Sequence, residues 1–126
     1  IPLDRGAIGA ATDAARVDAE RAQLQLTGEE ARVRYRLENA LTELETSVRL
    51  LSMAQKRVEL AELKLTAQVD KYKSGISTLA DVVRFQRDLD EALIASQRAI
   101  RAVYVGRAKL LSGQGTLAEA VGVSVR

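Results

Sequence analysis

The chain has 126 residues, enough for one domain or part of one. Apolar residues make up 47% but aromatics only 3%, with one Phe and no Trp, which excludes a thick globular core and leaves thin helix–helix seams of Leu, Val and Ala. Its 19 basic and 17 acidic residues are interspersed for a formal charge of +2, a pattern of solvated helix surface that excludes a nucleic-acid stripe, and the lack of Cys excludes disulfides and thiolate metal sites. In chain order, residues 1–6 are a short apolar lead, Ile1-Pro2-Leu3-Asp4-Arg5-Gly6, so abrupt that it reads as a section of a longer chain. A long helix is predicted over 7–73, where no proline interrupts a run rich in Ala, Leu, Glu, Arg, Lys and Gln. Its weakest point is Leu26–Glu30: Thr27 and Glu30 have capping-box spacing, and Gly28 costs about 1 kcal/mol in a helix interior. Good helix formers on both sides favour continuity, with a break there as the alternative. Ser74-Gly75-Ile76-Ser77 forms the turn, and a second helix is predicted over 78–112. Gly113-Gln114-Gly115 should end it, with Gly113 in the left-handed position past the last turn, leaving 113–126 as a tail.

The heptads are the strongest internal signal. In the first helix, alternating steps of four and three pick out Leu37, Leu41, Leu44, Val48, Leu51, Gln55, Val58, Glu62, Leu65, Val69 and Tyr72. In the second they pick out Leu79, Val82, Gln86, Leu89, Leu93, Ser96, Ile100, Val103, Arg107 and Leu110. Such spacing specifies a left-handed coiled coil. Folding the chain about the Gly75–Ile76 bond superposes the two patterns, pairing Tyr72 with Leu79, Val58 with Leu93, Val48 with Val103 and Leu41 with Leu110. The expected fold is therefore all-α: a long antiparallel coiled-coil hairpin with unequal arms. The first arm is about 67 residues, roughly 100 Å, and the second about 35, roughly 52 Å. The mirror runs out near Leu41, so the apolar positions of 7–36, Ile8, Val17, Leu24, Val33 and Tyr35, lack a partner within the chain. The isolated chain is expected to self-associate through 7–40.

Around the turn the residues admit local roles. Gly75 permits positive φ. Thr78 and Asp81 have the spacing of a helix cap, with Asp81 favouring the helix dipole and Arg84 one turn away as an ion-pair partner. Tyr72 is a seam residue against Leu79, and Ile76 and Leu79 are apolar at an exposed end. Nothing points to catalysis, a cofactor or a metal. His and Cys are both absent, so the usual nucleophile–base dyads are missing, and no Gly-rich phosphate loop is present. No apolar run is long enough for a bilayer-spanning helix, and no signal peptide opens the chain.

The stretch Tyr72-Lys73-Ser74-Gly75-Ile76-Ser77-Thr78-Leu79-Ala80-Asp81-Val82 resembles the periplasmic hairpin tip of TolC-like outer-membrane efflux proteins. Gln86, Leu89, Ala92, Ala99, Tyr104 and Leu110-Leu111 are similar to that family's returning helix, and Gly113-Gln114-Gly115-Thr116-Leu117 to its closing segment. The opening Ile1–Gly6 resembles its strand-to-helix junction without the usual Phe. The resemblance covers essentially the whole chain and rests on order and spacing, not on one motif. It implies the second-repeat hairpin of an α-helical barrel, with 113–126 as an equatorial-type tail. The protein would sit in the outer membrane with a periplasmic extension, a homotrimeric passive duct for efflux, multidrug efflux among its uses, served by a periplasmic adaptor and an inner-membrane pump.

The same resemblance implies that Gly75, Ile76, Ser77, Thr78 and Leu79 dock the adaptor. It also places Asp81, Arg84 and Tyr72 at the pore gate, Asp81 in a carboxylate ring and the Tyr72 hydroxyl in a hydrogen-bond network. Arg84 stands where the family often has a second acidic residue, and Ser77 where it has a basic one. The competing readings are the coiled-coil hairpin of a periplasmic adaptor and a generic coiled-coil scaffold. Adaptor hairpins have more nearly equal arms between lipoyl-like half-motifs, and neither feature is present here.

Overall fold

The computed structural model describes residues 2–122. They form two helices, α1 over Pro2–Lys73 and α2 over Leu79–Val121, of 72 and 43 residues, with no strand among the described residues. The all-α hairpin with unequal arms is thus what forms. The chain falls into two compact units, Ile1–Glu38 and Asn39–Arg126.

The first unit is helix throughout its described length. It begins at Pro2, not Ala7, because proline is tolerated at a first helical position, where its missing N–H has no intrahelical partner anyway. Gly28 lies inside unbroken helix. Thr27 does not cap a new one; its hydroxyl donates back to the Gln23 carbonyl at 2.9 Å, as Thr12 does to Ile8 at 2.8 Å. Every side chain from Arg5 to Arg32 is exposed.

In the second unit the two helices run antiparallel and come close at Gly106. A Cβ placed there would lie 3.4 Å from Leu44 Cδ1 and 3.5 Å from its Cα. Facing Leu44 with Gly106 puts the mirror on Gly75 itself, half a residue from the bond chosen by periodicity. That register stacks Ala40 on Leu110, Ser47 on Val103, Leu51 on Ala99, Ala54 on Ser96, Val58 on Ala92, Ala61 on Leu89 and Leu65 on Phe85. All of these are buried or half-buried. Lys109 Nζ to Glu43 Oε1, at 2.8 Å, closes one flank.

Half of the expected seam is therefore replaced. Leu44, Leu51, Val58 and Leu65, with Val82, Leu89, Val103 and Leu110, keep their places. The other track consists of small residues, Ala40, Ser47, Ala54, Ala61, Ala92, Ala99 and Gly106, in place of the larger neighbours chosen from the sequence. Val48 is 50% exposed and Leu93 43%, so neither is enclosed in the seam. The reason is steric: a large side chain meeting a small one lets the backbones close in, and two large ones hold them apart. The core is correspondingly thin, Ala92 being its one buried apolar side chain among those described, with Ser96 buried one turn on and Ser47 buried further along the seam. Ser47 satisfies its hydroxyl on the Glu43 carbonyl at 2.8 Å.

α2 does not stop at Gly113. It continues through Gly115 to Val121 and meets its left-handed glycine at Gly122, φ 74°. Interior glycines cost roughly 1 kcal/mol each but do not break a helix backed by Leu117, Ala118, Glu119 and Ala120. Within the expected lead and tail, Ile1 and 123–126 lie outside the described residues.

Two glycine substitutions should move stability in opposite directions. Gly106→Leu overpacks the seam against Leu44 and should cost about 1–3 kcal/mol. Gly28→Ala, where an added Cβ meets nothing within 4 Å, should stabilise by about 0.5–1 kcal/mol. Thermal unfolding followed by far-UV circular dichroism reads both. A Gly106→Leu variant that melts no lower than the parent would refute the register.

Candidate functional site

The tip is built from two complementary helix ends. At the end of α1, the Ser74 amide donates to the Asp70 carbonyl at 3.1 Å, the Gly75 amide to Tyr72 at 3.0 Å and the Ile76 amide to Lys71 at 2.9 Å. With Gly75 at φ 73° this is a Schellman stop, in which two backward bonds close over a left-handed residue. The space around Gly75 is open, so glycine is required here by the backbone and not by crowding. The apolar contact that often accompanies this stop is missing, because Ile76 projects outward and is 78% exposed.

α2 opens with a reciprocal cap. The Asp81 amide donates to Thr78 Oγ1 at 3.2 Å, and the Thr78 amide donates to Asp81 Oδ2 at 3.3 Å. The same Oδ2 accepts the Thr78 hydroxyl at 2.6 Å and the Ser77 hydroxyl at 3.4 Å. Ser77 Oγ in turn accepts the side-chain amide of Gln68 from α1. Arg84 Nη2 lies 3.7 Å from Oδ1, and its guanidinium sits 5.4 Å from the Phe85 ring centre. The Thr78 hydroxyl first and then the Thr78 amide hold the Asp81 carboxyl below its ordinary range; burial opposes them, and Arg84 and then Ser77 add lesser lowering effects. The hydrogen bonds of the tip converge on the Asp81 carboxylate.

Gly75, Ile76, Ser77, Thr78, Leu79, Asp81, Arg84 and Tyr72 all fall in the turn or the helical turns flanking it. Thr78 and Asp81 form the cap that their spacing suggested, and Arg84 pairs with Asp81. Tyr72 and Leu79 do not close a seam layer, being 45% and 59% exposed. With the mirror on Gly75, the position facing Tyr72 is Thr78, so the layer is open. Gln68 was not foreseen. The signal for it was a polar residue one heptad beyond Ala61, on the small-residue track of α1.

A second feature lies along the flanks of the hairpin. α2 carries an outward row stepping alternately by four and three: Leu79, Val83, Gln86, Asp90, Leu93, Gln97, Ile100, Tyr104, Arg107 and Leu111. Its large apolar members are exposed apart from half-buried Ile100, and Gln86 and Asp90 satisfy each other at 3.0 Å. α1 also leaves large apolar side chains exposed, Leu41, Val48, Leu50, Met53, Leu60 and Leu63 among them. Leu79, Leu93 and Ile100, read from periodicity as seam, belong to the outward row. Among the described residues no group of three or more His, Cys, Asp or Glu is placed to hold a metal ion, and no helix is long and apolar enough to cross a membrane.

No family model matches the chain, and no solved structure matches it. The chain is 28% identical over 99 residues to Nodulation protein T of Rhizobium leguminosarum bv. trifolii, which covers 79% of this chain. It spans about a fifth, 21%, of that relative's length. A match of that extent within this chain necessarily includes the turn.

Removing the Thr78 hydroxyl should loosen the start of α2. Thr78→Ala should cost about 1 kcal/mol of local stability, speeding amide exchange at 81–83 roughly fivefold. The pH dependence follows from the lowered Asp81 carboxyl. Its stabilisation is present above the ordinary carboxyl value of 3.8 and disappears as pH falls through the depressed one. Exchange protection at the tip should therefore hold at neutral pH and fade only in acid below that value. Asp81→Asn should abolish the acid-side change, and its persistence in that variant would assign it to another group.

Proposed function

We propose that the chain is part of the wall of a passive export conduit, the periplasmic duct of a TolC-like outer-membrane efflux channel. One observation carries this reading: after the hairpin seam is satisfied, each helix keeps large apolar side chains exposed, among them Leu41, Val48, Leu50, Met53 and Leu60 on α1 and Leu79, Leu93, Ile94, Tyr104 and Leu111 on α2. A single helix pair needs neither set. A panel with exposed apolar side chains packs edge to edge with further panels, and contacts between unlike surfaces generate rings when the rotation closes. Such a ring encloses a channel without any bond-making chemistry. The order of motifs from Tyr72 to Leu117 supports the same assignment, as does a match to a longer protein that includes the turn. In this reading three chains form the duct, the outer membrane holds its far end, and the tip at 75–79 meets a periplasmic adaptor joined to an inner-membrane pump. Asp81 from each chain contributes a carboxylate near the narrow end, with Arg84 moderating it and Tyr72 beside it.

Planar-bilayer recording from the full-length protein tests this. Stepwise conductance is expected, with Asp81→Ala reducing preference for cations. A full-length trimer that inserts and conducts nothing would refute the duct. The 126-residue chain by itself should associate at micromolar concentration, because 7–40 exposes Ile8, Val17, Leu24, Leu26 and Tyr35. Sedimentation should show species larger than a monomer, and removing 2–36 should shift them toward monomer. A clean monomer of the whole chain would mean that this stripe needs no partner.

A further inference from the structure

We propose that the outer hollow of the tip selects an acidic protein partner, one that lays an aliphatic side chain on Leu79 and Val83 and sets carboxylates against Arg84 and Arg87. This rests on the reading of the tip as a docking end and names the chemistry of what docks.

Five residues of the first turns of α2 line the hollow: Leu79, Ala80, Val83, Arg84 and Arg87. They recur along α2 on the side turned away from the seam positions Val82, Phe85 and Leu89, and Ile76 precedes them in the turn. The floor is apolar and open to solvent, and Ile76 is the most exposed of the large apolar side chains on the described surface. Every charge in the lining is positive.

The carboxylate nearest this hollow does not cancel that charge. Asp81 Oδ2 is occupied by Thr78 and Ser77. Only Oδ1 reaches Arg84, at 3.7 Å, a wide separation that engages one nitrogen of a five-donor group. Arg84 is held against Phe85, so its remaining donors are presented at little entropic cost. Arg87 pairs with no carboxylate among the described residues, and Asp90, one turn on, is engaged by Gln86.

A small apolar floor gives modest affinity by itself. Two arginines in fixed places add charge-assisted, geometrically selective bonds to carboxylates and repel a basic partner. Ser77 contributes indirectly, by helping Thr78 occupy the acid.

The test uses two synthetic helical peptides, each with one central Leu, flanked by Glu in one and by Lys in the other. They are titrated into the 126-residue chain while NMR follows Leu79, Ala80 and Val83. The Glu peptide should bind at least about tenfold more tightly. Arg87→Gln, which removes no contact that the fold uses, should erase most of that advantage, as should raised salt. Equal binding of both peptides would overturn the acidic preference and leave docking at the tip standing. If neither peptide moves these resonances, docking there fails as well. Shifts caused only by phosphatidylglycerol vesicles would make the hollow a membrane-facing surface and overturn the proposal.

Discussion

Where Leu44 meets Gly106, the two helices come so close that a side chain on the glycine would touch the opposite backbone. That closeness depends on one rule repeated along most of the seam, in which a Leu or Val from one helix meets an Ala, Ser or Gly from the other. The rule keeps the layers thin. It leaves no room between the helices for a second set of large residues, and Leu41, Val48, Leu79, Leu93 and Tyr104 are left outside. A seam of small residues and a surface rich in apolar ones are thus two consequences of a single packing choice. They explain how a chain that is 47% apolar has almost no interior.

The turn enforces the same choice. Gly75 takes the left-handed conformation, the Schellman bonds close over it, and Thr78 and Asp81 start the next helix within three residues. So short a connection allows no slack, and the mirror falls on the glycine itself. The Gln68–Ser77–Asp81 chain of hydrogen bonds ties the two helix ends together at the point where the apolar seam stops. Local stop, local cap and long-range register specify one arrangement, the agreement between levels that marks a sequence with a single fold.

Function follows from what this arrangement leaves unsatisfied. The hairpin leaves large apolar side chains of both helices open to solvent and has an apolar, arginine-rimmed end. In the proposed reading, neighbouring panels cover the flanks and a partner covers the tip.

The helices, the turn at Gly75, the inequality of the arms and the Thr78–Asp81 cap were determined by sequence alone. They arise from local rules: helix propensity without proline, a glycine able to adopt positive φ, and an oxygen-bearing side chain at a helix start. The heptad spacing likewise announced an antiparallel pair. Which of two adjacent tracks faces inward was not decided locally. Val48 is more apolar than Ser47, and Leu93 larger than Ala92, so a reading by hydrophobicity takes the outer track for the seam. Only the packed pair shows that close approach of the backbones outweighs the burial of larger side chains. Gln68 could not be assigned either, because its partner Ser77 lies across the turn, where only the folded chain brings them together. Gly113 shows the converse: its local stop signal was overridden by the helix-forming residues that follow, and whether a glycine ends a helix depends on what the next turn can still gain.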